Sequence, residues 1–266
     1  MFQLKPFSLL LLAASLAIGL AGSPKQAVGQ TVRFETNVGD IEVQLHPNEA
    51  PIAVANFLSY ANGPVGSNYD GTFFHRSITN FIIQGGGFFL PVDGIANEVP
   101  TQPPIVNEFG ISNTRGTLAF AKLGGDPDSA TNQWFFNTTD NGGMPPLGLD
   151  FQNGGFTVFG TVVSGLDIVD AIQAAPTFNL DPVDPGTFDN VPLLNGGAEF
   201  VIVNSVTVVP VLLGDVNLDS FVDFADIPSF IAVLSAGGYQ SEADGNQSAT
   251  VDFADIPAFI AILIGQ

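Results

Sequence analysis

Between residues 31 and 209, apolar and polar residues alternate in short runs, and turn-forming residues punctuate nearly every run. A period of two places one face of each run toward a core and the other toward solvent, the signature of half-buried strands. The sharpest case is Thr31-Val-Arg-Phe-Glu-Thr, followed by Asn37-Val38-Gly39-Asp40 and then Ile41-Glu-Val-Gln-Leu, which reads as a hairpin. Further strand patterns fall at 72–78, 81–84, 117–121, 134–137, 157–163 and 199–209. Only two stretches carry helical spacing. In the first, Asn48 is placed to cap, Pro51 sits in the first turn, and Val54, Phe57 and Leu58 share a face. In the second, Leu166–Ala174, the spaced apolar residues are Ile168, Val169 and Ile172. Many strands, two helices and no βαβ rhythm predict a mainly-β fold, a closed antiparallel barrel with two capping helices. The loops 88–114 and 138–155 are rich in Gly, Pro and Asn.

Charge narrows the functions open to such a chain. Six Lys and Arg stand against 26 Asp and Glu, a formal charge of −20. A surface this acidic repels phosphate backbones and anionic lipid, which argues against nucleic acid and anionic membranes as partners. Cysteine is absent, so disulfides, thiolate metal sites, a Cys nucleophile and a lipid-modified Cys are excluded. The opening residues 1–22 join Lys5, an apolar run from 7 to 20 and small residues, the pattern of a cleaved signal peptide rather than a membrane span. Cleavage after Ala21 or after Gly29 fits, so residues 1–29 are expected to be a leader. The protein is then exported, to the periplasm, the cell surface or the medium, and no later segment is long and apolar enough to span a bilayer. Four cations would remain: Arg33, Arg76, Arg115 and Lys122.

The stretch Tyr69-Asp-Gly-Thr-Phe-Phe-His-Arg-Ser-Ile-Thr-Asn-Phe-Ile-Ile-Gln-Gly resembles the cyclophilin signature, with Phe74, His75, Arg76, Ile78, Phe81, Gln84 and Gly85 in register. Gly116-Thr-Leu-Ala-Phe-Ala, Ser129-Ala-Thr-Asn-Gln-Trp-Phe-Phe-Asn, the pair Leu149-Asp150 and Phe156-Thr-Val-Phe-Gly follow in the family's order, so the resemblance spans 31–209. It implies a cyclophilin-like barrel and a peptidyl-prolyl cis-trans isomerase acting on proline-containing polypeptides of the exported fraction, with no cofactor for catalysis. Carried over residue by residue, it implies catalytic roles for Arg76, Phe81 and Gln84. Substrate contacts would come from Ile82, Ala121, Lys122, Gln133, Phe135, Leu149 and Phe156. Three positions depart from the family's habit: Lys122 replaces Asn, Gly148 replaces Trp, and Phe156 replaces His. The expected consequences are an added charge at the rim and a pocket more open at Gly148, with weaker binding of the family's drug ligand cyclosporin. The alternative reading is a non-catalytic protein that grips proline segments.

The chemistry stands apart from the family name. A planar X–Pro amide resists rotation by about 18–20 kcal/mol and interconverts over tens of seconds. At the twisted transition state the nitrogen lone pair is no longer delocalised and accepts a hydrogen bond. A donor aimed at it favours the twisted form over either planar one, which is the condition for catalysis. Arg suits the role because it stays protonated and carries several donors in a fixed fork. Other features read as structural. His75 is expected to be a hydrogen-bonded structural histidine, His46 a solvated strand end and Trp134 core; two isolated histidines do not make a zinc site. Gly85-Gly86-Gly87 lacks the Lys and helix start of a phosphate loop. Asn137-Thr-Thr is a formal glycosylation sequon.

From residue 211 the composition changes. Residues 211–266 hold eight acids and no Lys or Arg, and Val222-Asp-Phe-Ala-Asp-Ile-Pro-Ser-Phe-Ile-Ala-Val-Leu returns 29 residues on as Val251-Asp-Phe-Ala-Asp-Ile-Pro-Ala-Phe-Ile-Ala-Ile-Leu. Oxygen side chains fall at positions 1, 3, 5, 9 and 12 of a calcium-loop spacing: Asp215, Asn217, Asp219, Asp223 and Asp226, then Asp244, Asn246, Ser248, Asp252 and Asp255. Position six, usually Gly, is Ser220 and Ala249. Each loop leads into a helix whose apolar face is expected to be Phe224, Ile227, Ile231 and Leu234, or Phe253, Ile256, Ile260 and Leu263. The two faces would bury against each other. The arrangement resembles a dockerin, a small α-helical module, and that resemblance implies Ca2+ in the loops and a cohesin-like docking partner.

Overall fold

Val32, Phe34, Ile41, Val43 and Leu45 all turn to one side of the opening hairpin, where each is buried. That hairpin, β1 (Thr31–Thr36) and β2 (Asp40–Leu45), forms as its alternation predicts. The computed structural model describes residues 30–90, 96–144, 146–180, 186–210, 212–217, 221–248 and 250–265; the expected leader at 1–29 and Asp219 lie outside them. Strands follow as β3 (Thr72–Phe73), β4 (Arg76–Ile78), β5 (Ile82–Gly85), β6 (Phe88–Phe89), β7 (Asn97–Glu98), β8 (Thr117–Phe120), β9 (Trp134–Asn137) and β10 (Val158–Ser164). The last four are β11 (Thr177–Phe178), β12 (Val191–Leu194), β13 (Glu199–Phe200) and β14 (Ile202–Val208).

Eleven strands make one antiparallel sheet in the order β4-β5-β9-β8-β10-β2-β1-β14-β3-β6-β7. The sheet curls. β3 pairs with β14 while β4 pairs with β5, and only Phe74 and His75 separate β3 from β4, so one stretch of chain serves both flanks. The expected single strand over 72–78 is therefore two strands joined by a bend. β11, β12 and β13 form a small separate sheet, and of these β11 and β12 carried no sequence expectation. Inside the curl, Phe34 packs edge-on against Trp134 and Phe136 at 5.1 and 5.4 Å, and Trp134 meets Phe74 at 5.4 Å.

Two helices cover the curled sheet. α1 (Pro51–Ala61) starts with Pro at its first turn, where a missing N–H is harmless. Its cap is not Asn48. The Glu108 carboxylate accepts from the N–H groups of Ile52 and Ala53 at 3.1 and 2.8 Å, so a residue from a distant loop satisfies the free donors. α2 (Leu166–Ala174) has the expected bounds and buries Val169 and Ile172. The Arg115–Asp170 ion pair at 2.6 Å ties it to the loop before β8.

The C-terminal repeat folds as two turns leading into α3 (Ile227–Ala236) and α4 (Ile256–Ile264), each with Pro in its first turn. Phe230 and Phe259 stack face to face at 3.9 Å between the helices. This corrects the expected contact face. The stacked rings claim the interface, so the buried stripe runs through Phe230, Phe259 and Leu263, flanked by Ile227, Leu234 and Ile256. Phe224, Ile231, Phe253 and Ile260 face solvent instead, Phe224 and Phe253 at 71% and 79% exposure.

Candidate active site

Alternation on the strands sorts the expected site residues. In β9, Trp134 and Phe136 point into the core, so Phe135 points out; in β5, Ile83 enters the core and Ile82 and Gln84 do not. In β8, Leu118 and Phe120 face inward and Ala119 outward. Register then gathers the outward set. Gln84 lies opposite Arg76 on one side and Phe135 on the other, and Phe135 lies opposite Ala119. The loop before β10 folds over this face and brings Leu149 and Phe156. The result is a second apolar cluster, separate from the core, of Ile82, Ala119, Phe135, Leu149 and Val158, with Phe81, Ile111, Ala121 and Phe156 packed against it. All six expected apolar contacts meet there. Ala119, Val158 and Ile111 were not anticipated, although the period of two on β8 and β10 assigns the first two to that face.

The polar edge of the cluster is a relay of amides. Arg76 Nη1 donates to Gln84 Oε1 at 3.3 Å, and Gln84 Nε2 donates to Gln133 Oε1 at 2.8 Å. Arg76 is half-buried, and burial lowers its pKa from the ordinary arginine value. Among the described cations, Arg33 pairs with Glu42 at 2.7 Å and Arg115 with Asp170, whereas Arg76 has no ion-pair partner. The glycine run explains itself here. A Cβ at Gly86 would lie 2.5 Å from Trp134 Nε1, and one at Gly87 would lie 2.8 Å from the Gln133 side chain. These glycines give passage to the core tryptophan and to the relay glutamine.

His75, beside Arg76, is buried, as a structural histidine should be. Burial pushes its imidazole down to about 3; the Arg76 charge adds to the shift and a hydrogen bond with Gln133 opposes it. It packs edge-on against Phe88 at 5.0 Å. His46 differs from its expectation: it is half-buried, with Nε2 2.8 Å from Thr161 Oγ1, and burial lowers its pKa.

Two rim expectations need correction. Lys122 does not present its charge to a groove: Nζ donates to the carbonyls of Asn153 and Gly155 at 2.9 and 2.6 Å and to Asn107 Oδ1 at 3.3 Å. It also lies 4.8 Å from the Phe156 ring centroid, so it clamps the loop that carries that wall. Gly148 is not an opening left by a missing side chain. Its φ is +96°, and a Cβ there would overlap the Gly142 carbonyl oxygen, so this backbone admits only glycine. The Asn137 sequon is closed to sugar in the folded chain, because Asn137 is buried and its amide donates to Asn113 and Thr117. A separate cleft of about 780 Å³, lined by Arg33, Glu42, His46, Tyr239 and Glu242, includes Asp215 of the acidic repeat but none of the residues expected to bind or turn proline.

In the acidic repeat, both halves repeat one pattern. Asp226 accepts from the N–H groups of Asn217 and Asp223 at 3.0 and 2.9 Å, and Asp255 accepts from those of Asn246 and Asp252 at 3.2 and 2.8 Å. Asp223 and Asp252 each accept from the N–H two residues on, at 2.7 Å. Asp215, Asp226, Asp244 and Asp255 are buried. Ser248 donates its backbone N–H to Asp244 and turns its hydroxyl to Thr250. Among the described residues, no three acidic or histidine side chains converge closely enough to hold a metal as they stand.

Known proteins resemble this chain over the segment that holds these residues. The family profile described as cyclophilin type peptidyl-prolyl cis-trans isomerase/CLD matches residues 31–194. A peptidyl-prolyl cis-trans isomerase of Acinetobacter baylyi is 43% identical over 176 residues, covering 65% of this chain and 85% of that protein. Peptidyl-prolyl cis-trans isomerase B of Escherichia coli is 41% identical over 179 residues, covering 66% and 98%. A solved cyclophilin-type isomerase of Cryptosporidium parvum is 22% identical with a TM-score of 0.49, covering 69% of this chain and 99% of that one.

Proposed function

The chain belongs to the cyclophilin-type peptidyl-prolyl cis-trans isomerases, and from that premise we propose that Arg76 is the donor that catalyses rotation of X–Pro bonds in exported polypeptides. One observation carries this assignment: in a chain with 26 acids, Arg76 is half-buried at the edge of an apolar cluster and, among the described residues, bonded only to a neutral amide. Gln84 takes one guanidinium donor and leaves others for a substrate. Ile82, Phe135, Leu149 and Phe156 receive the proline ring, with Phe81 beside them. Ala121 and the backbone of Lys122 border the residue before proline. When the amide twists, its nitrogen accepts from Arg76 in a site sheltered from water, where a fixed donor counts for more than it does in bulk solvent. A donor of this kind is worth about 3–4 kcal/mol, or roughly 10²–10³ in rate. The test is the full chain acting on a short X–Pro peptide: Arg76→Ala should lose that factor. Equal rates for the wild type and the variant would remove Arg76 from the mechanism.

The acidic repeat serves, in this reading, as a calcium-dependent docking module of dockerin type. Its buried carboxylates lie in a segment that holds no Lys or Arg, and an oxygen-only donor set suits Ca2+. Asp226 and Asp255 give each oxygen to one N–H, and a carboxylate oxygen so bonded keeps a lone pair for a cation. The exposed Phe224, Ile231, Phe253 and Ile260, repeated in both halves, supply the apolar face that a cohesin-like partner would cover. Calorimetric titration of Ca2+ into the full chain should give heat that Asp226→Ala and Asp255→Ala each reduce; no heat with the wild type would leave only an acidic appendage. Export rests on the 1–29 pattern, and the mass of the protein recovered outside the cytoplasm would fix cleavage after Ala21 or Gly29.

A further inference from the structure

Three walls of the proline pocket hang on one chain of side-chain amides. Asn141 Nδ2 donates to the Phe81 carbonyl at 2.7 Å and to Asn137 Oδ1 at 2.7 Å. Asn137 Nδ2 donates to Asn113 Oδ1 at 3.2 Å. Asn113 Nδ2 donates to Asp150 Oδ1 and to the Phe156 carbonyl, both at 3.0 Å. The backbone joins in, because Leu149 N–H donates to the Asn141 carbonyl at 2.8 Å and Asn113 N–H to Asp150 Oδ1 at 2.8 Å. All three asparagines are buried.

The direction of this chain follows from its end. An ionised carboxylate only accepts, so Asn113 must turn its NH2 to Asp150. Its oxygen then faces Asn137 and must accept, which fixes the Asn137 amide, and that in turn fixes Asn141. Burial alone would raise the Asp150 carboxyl, but bonds from Ser112 and from the Asn113 backbone and side chain hold it below the ordinary range. The charge that orients the chain therefore persists across the working pH range. Phe81 sits in the turn before β5, whereas Leu149 and Phe156 sit in the loop between β9 and β10. Among the described residues, the amide chain is what links the carbonyls of Phe81 and Phe156 through side chains.

We propose that Asn113 and Asn141 are positioning residues that set the separation between the Phe81 and Phe156 sides of the proline pocket, with Asp150 fixing the sense of the chain. The proposal rests on the pocket assignment above. It predicts a division of labour: the amide chain governs how tightly the ring is held, and Arg76 governs how fast the held bond turns. NMR titration of an Ala-Pro peptide into the full chain gives Kd, and exchange spectra give the cis-trans rate on the enzyme. Asn113→Ala should weaken binding about ten-fold, the scale of a displaced positioning group, with the bound rate within about three-fold of wild type. Arg76→Ala should do the reverse of Asn113→Ala. Emission of the sole tryptophan, Trp134, reports whether each variant retains its core. Should Asn113→Ala lose it, Asn141→Ala, at the margin of the buried chain, carries the same expectation. A folded Asn113→Ala or Asn141→Ala that binds the peptide as wild type does overturns the proposal. An unchanged bound rate in Arg76→Ala overturns the catalytic assignment instead and leaves the binding test standing.

Discussion

His75 should make the curled sheet acid-labile by an amount that can be worked out in advance. An unfolded histidine titrates near 6.5, whereas burial next to Arg76 holds the folded imidazole at about 3. Between those values the unfolded chain takes up a proton that the folded chain refuses. Stability is therefore unaffected above pH 6.5 and falls by about 1.4 kcal/mol for each pH unit below it, until the folded group also protonates near 3. From pH 7 to pH 4 the loss is about 2.5 units of titration, or about 3.4 kcal/mol, a large share of the 5–15 kcal/mol typical of a domain. Acidic groups and His46 titrate over the same range, so the wild-type curve alone does not isolate the effect. Comparison with His75→Leu does, since every other group is shared. Urea unfolding followed through the buried Trp134 should show the variant gaining about 3 kcal/mol relative to wild type between pH 7 and pH 4. Parallel stability curves for the two proteins would mean that His75 is not held neutral in the folded state, and the buried environment described for it would be wrong.

Other consequences concern the rim and the glycines. Lys122→Met keeps the stem over Phe156 but removes three hydrogen bonds, two of them to the loop that carries Phe156, so melting should show a loss of about 2 kcal/mol and the peptide Kd should rise several-fold. A Kd unchanged from wild type would mean that the clamp does not shape the pocket. Gly86→Ala places a Cβ against Trp134 at a residue with φ of +80°, and should cost about 2–4 kcal/mol by urea midpoint with a red shift in tryptophan emission. Gly148→Trp, which restores the family's habitual residue, should lower the melting temperature and gain no affinity for cyclosporin, because the backbone there has no room for a side chain; tighter drug binding would refute that geometry.

What the sequence carried was local. A period of two assigns Ile82, Gln84, Phe135 and Ala121 to the face away from the core without any knowledge of strand order, because inward neighbours such as Ile83 and Trp134 leave them nowhere else to point. Family resemblance then supplied Leu149 and Phe156 from a loop that has no period to read. What it did not carry was set by partners distant in the chain. Glu108 caps α1 from 55 residues away, displacing the adjacent Asn48. Lys122 reads as a surface charge until the carbonyls of Asn153 and Gly155 arrive from another loop. The bend at Phe74-His75 follows from the need to pair β3 with β14 and β4 with β5, which no window of 72–78 reveals. In the repeat, helical spacing allowed several apolar stripes, and the mutual stacking of Phe230 and Phe259 selected one of them.

The neutrality of Arg76's neighbours is as much a part of the site as its charge. A carboxylate at its side would hold the guanidinium with bonds worth about as much as the one it must offer the twisted amide, so the ground state would gain what the transition state needs. The chain has acids in excess, yet among the described residues Glu42 pairs with Arg33 and Asp170 with Arg115, while the side chain that bonds Arg76 is the neutral Gln84. A bond of 3.3 Å to a neutral amide oxygen steers the guanidinium at little energetic cost and gives way easily. Gln133 holds Gln84 in turn, and the glycines of 85–87 make the space through which Gln133 and Trp134 pass. The glycine run, the paired glutamines and the unpaired arginine are therefore one device: a cation kept partly dry, oriented and uncommitted until an amide nitrogen turns toward it.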